Sequence, residues 1–130
     1  MITVNSWGRK DTFSSLDQVI YKTRSSNKYD LENLDVSQID DLSSVFDSSL
    51  YNGDLSKWDV SNCQNFKSMF SFSEFNNDSL KDWNISNAKT LRFMFYGAKF
   101  DNVLSNYNFN FNFNDIIILN VLGYLYSLRL

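Results

Sequence analysis

The chain has 130 residues, a formal net charge of −3, 43% hydrophobic and 17% aromatic residues, so it can bury one sizeable core and is expected to form a single domain over 1–130. Histidine and proline are absent and Cys63 is the only cysteine, which excludes Ser-His-Asp and Cys-His nucleophile systems, histidine-based zinc sites and an internal disulfide. No glycine-rich phosphate loop occurs, and the mild acidic balance with both signs interspersed gives no footprint for a nucleic-acid partner.

In chain order, residues 1–7 lack a charged stretch followed by an apolar one, so no secretory signal is expected. A short strand is expected at 2–5. Residues 11–24 then read as a helix capped by Asp11 or Thr12, with Phe13, Leu16, Val19 and Ile20 on one face. Together, residues 1–29 are expected to cap the N-terminal edge of the repeats. The cluster Tyr21-Lys22-Thr23-Arg24, with Lys28 nearby, reads as a solvated helix end rather than a phosphate-binding patch.

Residues 30–115 repeat. Trp58-Asp59-Val60-Ser61-Asn62 recurs as Trp83-Asn84-Ile85-Ser86-Asn87, earlier as Leu34-Asp35-Val36-Ser37-Gln38 and later as Tyr107-Asn108-Phe109-Asn110, at steps of about 24 residues. The apolar positions run Leu31, Leu34, Val36, Ile39, Leu42, Val45, then Leu55, Trp58, Val60, Cys63, Phe66, Met69, then Leu80, Trp83, Ile85, Ala88, Leu91, Met94. Phe46, Phe70 and Phe95 close the three units, and Tyr51, Phe75 and Phe100 come five residues later. The LxL part alternates with period two, which suits a short half-buried strand, and the later spacing of three suits a helical or 3₁₀ return. No unit can bury its own apolar face. The expected fold is therefore an α/β repeat, a leucine-rich-repeat-like solenoid of four to five units with a parallel sheet and an N-terminal helical cap.

Toward the C-terminus, Tyr107–Phe113 alternates strictly and predicts a longer strand, although Asn112 and Asp115 fall where earlier units are apolar. Residues 116–130 read as a degenerate last repeat or C-terminal cap. The stretch is nearly all apolar but too short for a membrane span of about 20 residues. A final strand over 125–130 would leave an unpaired edge, so a homodimer through this end is among the expected partners.

The strings Asp54-Leu55-Ser56-Lys57-Trp58-Asp59-Val60-Ser61-Asn62 and Lys67-Ser68-Met69-Phe70 resemble the BspA-like leucine-rich repeat family over roughly residues 30–110. That family occurs in bacterial surface proteins and in mycoplasma and phage proteins. The resemblance implies a leucine-rich-repeat solenoid and, for surface members, adhesion or protein binding; it implies no catalytic residues.

If Trp58 and Val60 point inward, the polar residues between them form outward columns. One runs Asn33, Lys57, Asp82, Asn106, the next Asp35, Asp59, Asn84, Asn108, and the third Ser37, Ser61, Ser86, Asn110. Two readings stay open: these side chains bond one another and the neighbouring backbone, or they form a binding face. On the second reading Asp35, Lys57, Asp59, Asp82, Asn84 and Asn108 are the candidate partner-binding residues. Paired carboxylates such as Asp35 and Asp59 are by-products of repetition without a deep pocket, and Asn52-Gly53-Asp54 lacks calcium-loop spacing, so no enzyme activity, metal or cofactor is expected. Cys63 falls on an inward position and reads as a small core residue. The function expected is a non-catalytic protein–protein interaction module that binds a protein partner through the sheet face or solenoid end. The alternatives are a phage or mobile-element inhibitor that blocks a host defence protein by stoichiometric binding, or a cell-surface adhesin fragment. Without a signal sequence, the expected location is the cytoplasm, that of the host if phage-encoded.

Overall fold

The computed structural model describes residues 15–100. The strands expected at 2–5, 107–113 and 125–130, and the C-terminal cap or dimer edge, lie outside the described residues.

Helix α1 spans Leu16–Ser25. Its N-cap is Ser15, not Asp11 or Thr12: the Ser15 side chain accepts the Gln18 N–H at 3.4 Å. The Ser-x-x-Gln spacing carries the capping-box pattern, and Asp17 in the first turn with Lys22 and Arg24 in the last complements the helix dipole. Val19 and Thr23 are buried, Leu16 and Ile20 pack against the core, and Tyr21 stands in solvent. Thr23 Oγ1 donates back to the Val19 carbonyl at 2.8 Å, while the Thr23 carbonyl accepts the Leu50 N–H at 2.7 Å. Ser49 and Ser73 carbonyls accept the Glu74 and Lys99 N–H groups in the same way at 2.9 and 3.1 Å. The end of α1 thus does for the first unit what each unit does for the next.

Three units come after the helix, 30–53, 54–76 and 77–100. The alternation read from the sequence places side chains correctly: every inward position from Leu31 to Met94 is buried or packed against the core, while Lys57, Asp59, Asp82 and Asn84 are exposed. The backbone is another matter. Among the described residues there is one helix and no strand or sheet; parallel contact is confined to the isolated bridges Asp41↔Asn65 and Asn65↔Thr90. The expected parallel-sheet solenoid with helical returns is therefore not what these residues build. The reason is local. Asp35, Asp59 and Asn84 side chains capture the N–H groups of Ser37, Ser61 and Ser86, each at 3.0 Å, and Trp58 and Cys63 close tight turns by donating to Leu55 and Val60. Backbone donors that a sheet ladder would need are spent within the unit.

The units are joined instead through the turns at their far end. In the first unit the N–H groups of Leu42, Ser44, Phe46 and Ser48 donate to the carbonyls of Asn65, Lys67, Met69 and Ser71 at 2.8–3.0 Å. The intervening Val45, Asp47 and Ser49 donate three residues back along their own chain. The second unit repeats the pattern, with Phe66, Ser68, Phe70 and Phe72 donating to Thr90, Arg92, Met94 and Tyr96 at 2.8–3.0 Å. The ladder turns through left-handed residues at two places per unit: Ser44, Ser68 and Phe93, then Ser48, Phe72 and Gly97, with φ between 55° and 66°.

Behind this ladder the closing phenylalanines stack. Ring centroids of Phe46 and Phe70 lie 5.4 Å apart at 7°, and those of Phe70 and Phe95 5.6 Å apart at 8°. Tyr51, Phe75 and Phe100 pack beside them at 5.4, 4.6 and 4.3 Å, and the first two separations fall where aromatic pairs gain about 0.5–1.5 kcal/mol beyond burial. Burial pushes the Tyr51 phenol up to about 12. The tryptophans add a polar link: Trp58 Nε1 donates to the Leu31 carbonyl at 2.8 Å and Trp83 Nε1 to the Leu55 carbonyl at 3.0 Å, both buried. No helix among the described residues is long and apolar enough to cross a membrane.

Trp58→Phe keeps most of the apolar contact but leaves the buried Leu31 carbonyl without its indole donor. The Leu34 N–H still donates to that carbonyl at 3.2 Å, so the variant should destabilise the protein by about 0.5–1.5 kcal/mol, read as a lower urea midpoint at unchanged slope. An unchanged midpoint would show that the indole bond does not hold the first two units together.

Candidate functional site

The outward columns are built from turn-forming side chains. Asp30, Asp54 and Asn77 accept the N–H two residues on, at 3.0, 2.8 and 3.0 Å. Asp41, Asn65 and Thr90 do the same at 2.9, 2.9 and 3.1 Å, and Asp35, Asp59 and Asn84 form a third such column. Asp, Asn and Thr alternate freely at these places because the turn needs an acceptor oxygen, not a charge. Asp59 also takes the Ser61 hydroxyl at 2.6 Å. The Ser37 hydroxyl and N–H hold the Asp35 carboxyl below the usual carboxylate range, and Ser56 does the same for Asp54.

The remaining polar side chains tie units together. Asn62 Nδ2 donates to the Ser37 carbonyl at 2.9 Å and Asn87 Nδ2 to the Ser61 carbonyl at 2.7 Å. Asn52 Oδ1 accepts from Asn76 N at 2.7 Å and Asn77 Nδ2 at 2.9 Å. Asn52-Gly53-Asp54 is therefore a cross-unit link, and among the described residues no group of three or more His, Cys, Asp or Glu is placed to hold a metal ion.

Of the sequence-selected residues, Asp35, Asp59 and Asn84 share one turn column. Lys57 reaches Glu32 of the preceding unit at 2.7 Å, and this bond raises its pKa; the pair is solvent-exposed and screened. Asp82 is exposed and borders a shallow open hollow with Asp54, Asn77, Asp78 and Lys81. Asn108 lies outside the described residues. Cys63 is buried, its Sγ 3.4–3.5 Å from the Asn65 and Asp40 carbonyls, and burial pushes its thiol pKa up.

The sequence reading passed over the outward side of the ladder. Phe72 stands 60% exposed there, its ring edge-on to Tyr96 at 5.4 Å, and half-buried Phe93 also meets Tyr96 edge-on at 5.4 Å. The Arg92 guanidinium lies 4.9 Å from the Phe93 ring centre. Aligning the units would have found this patch, because Phe72 replaces Ser48 and Phe93 replaces Ser44 and Ser68 at equivalent places.

The run of three units behind one helix coincides with a family match over residues 14–116, which takes in α1 and every unit. The chain belongs to the family described as Mycoplasma protein of unknown function, DUF285. Searches of curated proteins and of solved structures find no match. The DUF285 match thus spans α1 together with the three described units.

Because Asp35 and Asp54 titrate below the unfolded value near 3.9, their contribution is present above that value and is lost as pH falls through the folded pKa. Asp35→Asn with Asp54→Asn keeps the acceptors that Asn84 and Asn77 already supply. The double variant should show a shallower loss of stability below about pH 4. Superimposable acid limbs would mean these carboxylates are not preferentially ionised in the fold.

Proposed function

We propose that the chain is a non-catalytic module that binds a protein partner. One observation carries this reading: three outward columns change charge from unit to unit over inward positions that stay small or apolar. Asn33, Lys57 and Asp82 occupy one outward column, Asp40, Gln64 and Lys89 another, and Ser43, Lys67 and Arg92 a third. Beneath them the closing residue is phenylalanine in every unit and backbone bonds fix the frame. A surface that varies in charge and shape over a constant scaffold is how repeat proteins acquire binding faces. The finer resemblance to BspA-like repeats, whose surface members bind proteins, agrees with it.

The test is quantitative affinity capture from a lysate of the source cell. The full chain, the Lys57→Glu/Asp82→Lys pair and the Phe72→Ser/Arg92→Glu pair serve as baits of matched melting temperature. A protein enriched near one-to-one by the wild type and lost with one of the pairs supports the module. Enrichment that is indifferent to both pairs, or no enrichment, overturns it.

A further inference from the structure

We propose that the outward ladder face of the second and third units, formed by Lys67, Phe72, Lys89, Arg92, Phe93 and Tyr96, docks an acidic linear segment of a protein partner that also carries apolar side chains. This deepens the module reading and rests on it.

Charge changes sign along this face. Hydrogen bonds and bridges align Asp40 with Gln64 and Lys89, Asp41 with Asn65 and Thr90, and Ser43 with Lys67 and Arg92. The first unit thus presents carboxylates and the third presents cations, although the chain as a whole is acidic. Lys89 shares a shallow hollow with Asp40 and Asp41. Lys67 and Arg92 have no carboxylate within ion-pair distance among the described residues; the lysines that do have one, Lys57, Lys81 and Lys99, lie elsewhere.

The aromatic part sits at the two left-handed places of the repeat. Phe72 and Phe93, φ 55° and 56°, stand where the other units carry Ser44, Ser48, Ser68 and Gly97, so bulky rings occupy backbone positions that serine and glycine fill more easily. Gly97, at φ 66°, is fitted to the exposed ring: a Cβ there would sit 2.6 Å from Phe72 ring atoms. The backbone beneath is fixed by the bonds from Ser68 N to the Arg92 carbonyl at 2.9 Å and from Phe72 N to the Tyr96 carbonyl at 2.8 Å. The exposed Phe72 ring, flanked by half-buried Phe93 and Tyr96, together with Lys67 and Arg92, matches a segment alternating acidic and apolar residues. A polyphosphate chain fits less well, because it carries no apolar group to set against the exposed Phe72 ring.

The test is fluorescence anisotropy of the full chain with labelled peptides of alternating Asp and Leu, alternating Lys and Leu, and Asp alone, and with oligo(U). The Asp-Leu peptide should bind best and weaken with salt. Phe72→Ser and Arg92→Glu should each weaken it about tenfold or more, and Lys28→Glu should not. Phe72→Ser should keep or raise the melting temperature, since Ser48 already occupies the equivalent left-handed place; a residue serving only packing would lower it. Equal binding of acidic and basic peptides, tighter binding of oligo(U), or Asp-Leu binding indifferent to both variants overturns the proposal. If the peptide fails while lysate capture is lost with Lys57→Glu/Asp82→Lys, this face is wrong and the module stands. If capture survives both variant pairs, both fall.

Discussion

Alternate backbone N–H groups along one short segment of each unit leave their own chain and bond the carbonyls of the next. Eight such bonds, from Leu42, Ser44, Phe46, Ser48, Phe66, Ser68, Phe70 and Phe72, connect three units that could not bury their apolar faces alone. Each contributes on the order of 0.5–1.5 kcal/mol net. Their larger effect is geometric, because they set the spacing at which Phe46, Phe70 and Phe95 stack. The intervening N–H groups close turns within the unit, so the segment advances without becoming a helix or a strand. Left-handed residues at two fixed places make that alternation workable, which is why serine and glycine suit them and phenylalanine calls for an explanation.

Opposite the ladder, side chains do the joining that backbone does elsewhere. Indole N–H groups of Trp58 and Trp83 and amides of Asn62 and Asn87 reach carbonyls of the preceding unit. The repeated Trp-Asp-Val-Ser-Asn string is thereby explained residue by residue. Its Trp packs and donates, its Asp turns the chain by holding the Ser N–H, its Val packs, and its Asn bonds backward. Little of this string is left over for recognition. The variable positions beside it and along the ladder are what a partner would read.

The inward residues were fully legible in the sequence, because hydrophobic spacing records which side chains face the core whatever the backbone does between them. The backbone was not legible in the same way. Trp58-Asp59-Val60 alternates as a strand would, but the Asp59 side chain takes the Ser61 N–H, and a period-two pattern cannot distinguish a strand from a pair of tight turns. The helix was found with its cap misplaced, since Ser15-x-x-Gln18 competed with two earlier cap residues. Among the candidate binding residues, Asp35, Asp59 and Asn84 proved to be turn acceptors. The ladder face was missed because Phe72 and Phe93 look like ordinary core aromatics until their exposure and backbone angles are known.

Native-state hydrogen exchange at single-residue resolution tests the ladder most directly. The account predicts strong, similar protection at the amides of Leu42, Ser44, Phe46, Ser48, Phe66, Ser68, Phe70 and Phe72, with rapid exchange at Lys57 and Asp59, whose N–H groups make no bond to a neighbouring unit. Protection concentrated at Lys57 and Asp59, with the ladder amides exchanging freely, would contradict it and restore a sheet on the opposite side.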